Sequence, residues 1–251
     1  DAMTIQWLPG LGGRNVFGMA KDTTASPMTS VAHKLSVTLH PEEHRLIVED
    51  TIELPRALTR AGAEFTLDAA LEIRSCDPPV KTLPAKEDTT KRYALETAPA
   101  NGVVRIAYEG KINYGLSEQK EEYTRGFREC RGQIGPEGVY LNGETGWVPG
   151  FDEALVRFEV TVQQPEGWHV ISQGNGTSRG PDGTARWDSG GPLEDIQLVG
   201  GPLRVERDSA GAIEVLVYRH EEDEARSRKY LDATARYIEM YRKLIGPYPY
   251  G

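Results

Sequence analysis

Short segments in which apolar and polar residues alternate follow one another along most of this sequence, and they constrain its fold more than any other feature. A period of two places successive side chains on opposite faces of a strand, so each segment fits a half-buried β-strand. The clearest run covers residues 156–164, and residues 33–54 form a hairpin around His40-Pro41. Turn signals such as Asn175-Gly176 separate the runs. The pattern predicts a mainly β fold, either an antiparallel sandwich or a set of curved sheets.

Further strands are predicted wherever the same alternation recurs over a few residues. These runs are 63–67, 70–75, 91–96, 102–114, 168–173, 184–188, 195–200, 203–207 and 212–219.

The last thirty residues have a different period, which predicts one amphipathic helix over 222–245. Acidic residues at 221–224 complement the helix dipole at its start, and Gly246-Pro247 ends the helix. Its apolar stripe requires an apolar partner surface. The residues of this stripe are Tyr230, Leu231, Thr234, Tyr237, Ile238, Tyr241, Leu244 and Ile245.

Composition excludes several classes of protein. A chain of 251 residues can bury a sizeable core, and its 27 Gly and 16 Pro indicate many turns rather than low complexity. A net charge of −9 without a basic stripe argues against nucleic-acid binding, and no apolar window is long enough to span a membrane. The two cysteines, Cys76 and Cys130, form neither a disulfide framework nor a zinc cluster, and their redox state stays open.

Residues 40–44 match an H-x-x-E-H zinc motif in letters only. That chemistry needs both imidazoles on one face of a helix, whereas these residues join two predicted strands and include Pro41. We therefore expect two exposed turn histidines here. His220-Glu221 begins like H-E-x-x-H, but Glu224 stands where the second histidine is needed. The sequence predicts no catalytic residue and no metal ligand in this chain.

The segment 138–153 joins a short apolar run to the best-patterned strand and is rich in aromatic and acidic residues, including Glu144 and Trp147. Loops on a rigid sheet commonly hold recognition residues. A carboxylate among aromatic rings is suited to a cationic group such as a free α-amine. The alternative is an ordinary packed corner in which Asp152 caps a turn, and composition alone leaves both interpretations open.

Three stretches resemble motifs of one enzyme family. They are residues 149–153 (Pro-Gly-Phe-Asp-Glu) leading into strand 156–162, residues 142–144 (Asn-Gly-Glu) at the place of a Q-x-E motif, and helix 222–245 followed by residues 246–250 (Gly-Pro-Tyr-Pro-Tyr). Together they are similar to the membrane alanyl aminopeptidases, zinc metallopeptidases that include leukotriene A4 hydrolase. The resemblance runs over about residues 31–251.

The resemblance implies an N-terminal, saddle-like antiparallel β-sandwich domain over residues 31–218, preceded by an extended arm over 1–30. Residues 219–251 would then be the first helix and turn of a catalytic domain that lies beyond this chain. The family's zinc motif is absent from the sequence, so the resemblance implies zinc in the intact parent and none in this chain. The helix would pack on residues of that downstream domain, and the aromatic ending 248–251 is expected where a longer protein has been cut.

The resemblance also implies a site. In the family the glutamate of Q-x-E helps to bind the substrate's N-terminal amine, which points to Glu144, with Asn142 at the place of the glutamine. The expected partners are the downstream catalytic domain and a peptide N-terminus. The alternative is a stand-alone β-sandwich binding module or a catalytically dead paralogue. The compartment stays undetermined, with an extracytoplasmic location favoured over a cytoplasmic one.

Overall fold

The computed structural model describes residues 4–5, 29–118, 128–151 and 154–247, with the backbone alone at 4–5, 117–118 and 128–129. One helix, α1 (Glu224–Leu244), and two 3-10 turns, Pro41–Glu43 and Ala100–Gly102, accompany the strands in these ranges. The strands are β1 (Thr4–Ile5), β2 (Ser30–His40), β3 (Arg45–Glu53), β4 (Glu64–Asp68), β5 (Leu71–Asp77), β6 (Val80–Leu83), β7 (Thr90–Leu95), β8 (Val103–Lys111), β9 (Ser117–Glu118), β10 (Arg128–Glu129), β11 (Gln133–Gly135), β12 (Gly138–Leu141), β13 (Leu155–Gln163), β14 (His169–Ile171), β15 (Asn175–Thr177), β16 (Ala185–Asp188), β17 (Leu198–Gly201), β18 (Arg204–Ala210) and β19 (Ile213–Arg219).

The largest sheet has seven strands in the order β15-β16-β13-β2-β3-β8-β5. The predicted hairpin is confirmed: β2 and β3 are antiparallel, with Val37 opposite Val48. β13, however, runs parallel to β2, with Val160 opposite Leu35. Only antiparallel pairing was expected, but more than a hundred residues separate these two strands, and so long a connection lets the chain return in the same direction.

The core lies on one face of this sheet, where alternate side chains are buried, as the period-two pattern predicts. This face includes Leu35, Val37, Val48, Ile52, Val104, Ile106, Val160 and Val162. One polar pair interrupts it: His33 Nδ1 lies 2.7 Å from Asp50 Oδ2, and both side chains are fully buried. Burial raises the pKa of Asp50, although the neighbouring His33 opposes that shift.

Other strands form smaller sheets: β4-β7-β6 has three strands, β11-β12-β17-β14 has four, and β9-β10 has two. β6, β9, β10, β11, β12 and β15 lie outside the predicted strands, and β15 occupies the place where Asn175-Gly176 indicated a turn. All three residues of β15 are exposed, at the edge of the seven-stranded sheet. A strand with no buried face leaves no alternation in the sequence.

The chain divides into two compact units, residues 10–200 and residues 1–9 together with 201–251. The second unit contains the β1-β19-β18 sheet and α1. Asp223 caps the helix, since its Oδ1 accepts the Arg226 N–H at 2.8 Å. Leu231 is buried against Val215 and Val217 of β19.

The later half of α1 exposes a set of large apolar side chains, namely Tyr237, Met240, Tyr241 and Leu244, with Ile245 just beyond. None of the described helices is long and apolar enough to cross a membrane. The domain boundaries inferred from the sequence stay a prediction.

Candidate functional site

Glu144 and Asn142 lie in the turn that follows β12, and we call residues 142–146 the Glu144 turn. Along β12 the side chain of Tyr140 is exposed and that of Leu141 is buried. Asn142 is then half-buried and Glu144 is exposed. Within the part of the chain that the structure describes, the Glu144 carboxylate makes no hydrogen bond or ion pair. Among the described residues, the negative charge on this turn therefore has no side-chain partner.

Asn142 closes the turn through its side chain. Its Oδ1 accepts the Thr145 N–H at 3.0 Å, while its own N–H donates to Thr145 Oγ1 at 3.1 Å. Such local side-chain to backbone bonds fix a turn in one conformation. The Asn142 Nδ2 donates to Tyr140 Oη at 3.2 Å. The structure thus gives Asn142 a role in holding the turn, and its contact with a substrate stays a prediction.

Asp195 clamps the turn from one side. Its Oδ2 accepts the Gly143 N–H at 2.9 Å, and its Oδ1 lies 3.1 Å from Gln173 Nε2 and 3.3 Å from Gln197 Nε2. A Cβ at position 143 would lie 2.8 Å from the Cβ of Asp195. The close approach of these two residues explains why the central position of the Asn-Gly-Glu motif is a glycine.

Arg131 clamps the turn from another side. Its Nε donates to the Glu144 carbonyl at 3.2 Å, and its Nη2 donates to Asp68 Oδ2 at 2.6 Å and to the Thr89 carbonyl at 2.8 Å. The guanidinium also lies over the Tyr114 ring, 4.6 Å from its centroid. Arg131 therefore ties the backbone of Glu144 to a buried carboxylate and an aromatic ring.

Asp68 is fully buried, yet its charge is compensated. Besides Arg131, the Ala70 N–H donates to its Oδ1 at 2.7 Å, and Tyr114 Oη lies 2.7 and 2.8 Å from its two oxygens. Burial, followed by the hydrogen bond to Asp68, raises the pKa of Tyr114 to about 12. The phenol consequently stays protonated at neutral pH and donates to the carboxylate.

The far end of the Glu144 turn is bound to β4. The Asp68 N–H donates to the Gly146 carbonyl at 2.8 Å, and Gly146 has a φ of +66°, which favours glycine. Next along the chain, the fully buried Trp147 donates from Nε1 to the Ile196 carbonyl at 2.9 Å. Backbone bonds and a buried ring thus hold the turn on rigid strands.

Part of the motif at 149–153 can be located. Phe151 is buried, and its ring centroid lies 5.6 Å from that of Phe65. Asp152 and Glu153 lie outside the described residues, so the alternative in which Asp152 caps a turn stays untested.

The histidines of residues 40–44 lie in a tight connection, as the sequence predicts, but both are half-buried, so the expectation that they are exposed is wrong. Pro41–Glu43 forms one 3-10 turn between β2 and β3, and His44 follows with a φ of +56°. Its Nδ1 lies 2.6 Å from the Ile134 carbonyl oxygen. Among the residues that the structure describes, no three His, Cys, Asp or Glu side chains are placed to hold a metal ion.

Both cysteines are free and half-buried. Burial, with a further contribution from Asp77, raises the pKa of Cys76 to about 11, so this thiol is protonated at neutral pH.

The surroundings of Glu144 include residues that sequence analysis missed. Asp68, Tyr114, Arg131 and Asp195 are far apart in the chain, and only the folded sheets bring them to one turn. No spacing rule connects them, although the glycine at 143 was a signal of close backbone approach.

Solved structures resemble this chain, whereas no protein-family model and no curated protein sequence matches it. An aminopeptidase N family protein from Idiomarina loihiensis has a TM-score of 0.55 at 18% identity, over 88% of this chain and 37% of its own. An M1 zinc metallopeptidase variant from Deinococcus radiodurans, bound to a Tyr-Ser-Ala substrate, also has 0.55 at 18%, over 87% and 54%. Native yeast leukotriene A4 hydrolase has 0.59 at 13%, over 88% and 36%.

These likenesses define the class of fold. The chain has the β-rich fold that occurs in part of M1 zinc metallopeptidases, including an aminopeptidase N family protein and a leukotriene A4 hydrolase. The resemblance inferred from its motifs is thereby confirmed at the level of the fold. The chain spans 36% to 54% of the length of these three structures.

Proposed function

We propose that this chain is the non-catalytic N-terminal domain of a zinc aminopeptidase that removes N-terminal residues from peptides. The shared fold, the three motifs and the partial coverage of the M1 structures support this proposal. The zinc would belong to the downstream catalytic domain, and this chain would wall one side of the cleft between them.

The observation that carries the proposal is the exposed carboxylate of Glu144 on a clamped turn, which bonds to none of the residues that the structure describes. A protonated α-amine is the complementary group, and a carboxylate bonded to an ammonium makes a charge-assisted hydrogen bond. Because the turn is already fixed, little conformational entropy is lost when the amine binds. Glu144 would thus set the position of the peptide N-terminus, with Asn142 flanking the same site.

The cleft wall matters for the strength of this interaction. An ion pair in open solvent contributes only about 0–1 kcal/mol, whereas the same pair is stronger where a second domain excludes water. A charged hydrogen bond in such a cleft contributes about 1.5–3 kcal/mol. Losing it corresponds to roughly a tenfold to hundredfold fall in kcat/KM.

The test is Glu144→Gln in the full-length protein, assayed with peptides that have a free α-amine. We expect KM to rise and kcat/KM to fall by roughly ten- to a hundredfold, since glutamine keeps the shape but not the charge. Glu137→Gln is the matched control, because Glu137 is exposed in the turn between β11 and β12, on the same sheet. Kinetics of Glu144→Gln equal to those of this control would refute the role of Glu144.

A further inference from the structure

Arg131 is a cation placed directly beside Glu144. Its Nε lies 3.2 Å from the main-chain carbonyl oxygen of Glu144. The Glu144 carboxylate belongs to the same residue, at most one side-chain length from that oxygen. A free guanidinium at this position would form an ion pair with that carboxylate. The pair would neutralise the charge that is needed to attract a substrate ammonium group.

The structure shows Arg131 engaged elsewhere. Its Nη2 bonds the Asp68 carboxylate at 2.6 Å, and the Asp68 side chain is fully buried, whereas that of Arg131 is 24% exposed. A buried carboxylate without a cation is strongly destabilising, while an exposed one is solvated by water. Asp68 therefore competes for Arg131 far better than Glu144 does.

We infer that Asp68 keeps Arg131 from neutralising Glu144, and that Asp68 is in this sense a positioning residue for the amine site. The inference rests on the proposed function and deepens it: the buried ion pair keeps the exposed carboxylate available for a cationic peptide end. Asp68 acts through Arg131 and has no contact with the substrate.

The surroundings of Asp68 make an asparagine there a sharp test. Asp68 accepts bonds from the Ala70 N–H, from Tyr114 Oη and from Arg131 Nη2. In either orientation, the amide nitrogen of an asparagine would face the donor of Ala70 or that of Arg131. The variant also removes the negative charge, so it releases the guanidinium while keeping the shape of the side chain.

The experiment is a double-mutant cycle between Asp68→Asn and Glu144→Gln in the full-length protein, with KM and kcat measured on peptides that have a free α-amine. We expect Asp68→Asn to raise KM about tenfold with little change in kcat, and to have less than a twofold effect in the Glu144→Gln background. Equal effects of Asp68→Asn in the two backgrounds would overturn the inference.

A rescue variant separates charge release from damage to the fold. Asp68→Asn combined with Arg131→Gln removes both charges, which buried sites tolerate better than one unpaired charge, and the glutamine Nε2 keeps a donor at the place of the Arg131 Nε that bonds the Glu144 carbonyl. We expect its KM to return to within about threefold of the parent value, because the guanidinium that would neutralise Glu144 is gone. A KM as high as that of Glu144→Gln would contradict the inference, and this comparison holds even if Asp68→Asn alone fails to fold.

Asp50→Asn is the matched control, because Asp50 is also a buried carboxylate with a basic partner, His33. We expect it to lower Tm without raising KM, and an equal rise of KM would assign the effect of Asp68→Asn to general destabilisation.

The failure of the proposed function can be distinguished from the failure of this inference. An unchanged KM in Glu144→Gln refutes the amine site itself, whereas a raised KM there with an unchanged KM in Asp68→Asn refutes this inference alone.

Discussion

Gly143 packs directly against Asp195, whose carboxylate accepts the Gly143 N–H at 2.9 Å and whose Cβ occupies the space that a side chain at 143 would need. This contact fixes the residue immediately before Glu144. The position of the carboxylate thus depends on a tertiary contact between segments that are more than fifty residues apart.

Gly143→Ala should therefore displace the Glu144 turn. A Cβ 2.8 Å from that of Asp195 cannot be accommodated without a backbone shift, so we expect a loss of about 1–3 kcal/mol in the free energy of unfolding. Denaturant unfolding of the chain measures the loss. Gly115→Ala is the control, since no atom of the described residues lies within 4 Å of a Cβ there. Equal stability of the two variants would contradict the packing described for Gly143.

Leu231→Ala should loosen the helix from its hairpin. Leu231 is 2% exposed against Val215 and Val217, and the truncation of a buried leucine costs about 2–5 kcal/mol. We expect faster amide hydrogen exchange throughout α1. Leu244→Ala should have little effect on exchange in α1, because Leu244 is 73% exposed. A similar acceleration in both variants would show that the helix is not held through Leu231.

Tyr114 should make stability fall at alkaline pH. Its folded-state pKa of about 12 lies above the value of about 10 expected in the unfolded chain. Its contribution to stability is therefore complete below about pH 10 and is lost as the pH rises towards 12, because the unfolded state releases the proton first. Urea unfolding at pH 9 and pH 11.5 measures the change.

The control for this pH dependence is Tyr114→Phe, which has no phenolic proton. We expect the parent chain to lose more stability than the variant between the two pH values. The same loss in both proteins would mean that Tyr114 does not titrate differently on folding, and would contradict its hydrogen bond to Asp68.

Much of the fold follows from local patterning. The β2–β3 hairpin, β13 and α1 could be predicted because burial of one face leaves a period of two or of about four in the sequence. β15 could not, since all of its residues are exposed. The parallel pairing of β13 with β2 was also out of reach, because strand order is decided by long-range contacts.

The candidate site could likewise be predicted only in part from the sequence. Glu144 could be proposed because residues 142–144 resemble the Q-x-E motif of a known family. Its surroundings could not be predicted, since Asp68, Arg131 and Asp195 reach the turn from three separate segments. Contacts of this kind depend on sheet register rather than on any local pattern.

The most direct test of the central proposal is an aminopeptidase assay of the full-length protein beside this 251-residue chain. We expect the full-length protein to release N-terminal residues from peptides, to lose this activity with a chelator and to regain it with zinc, while the chain alone is inactive. No activity in the full-length protein would contradict the account and favour a binding module or a dead paralogue. Activity in the chain alone would contradict it as well, and would direct mutagenesis to His40 and His44.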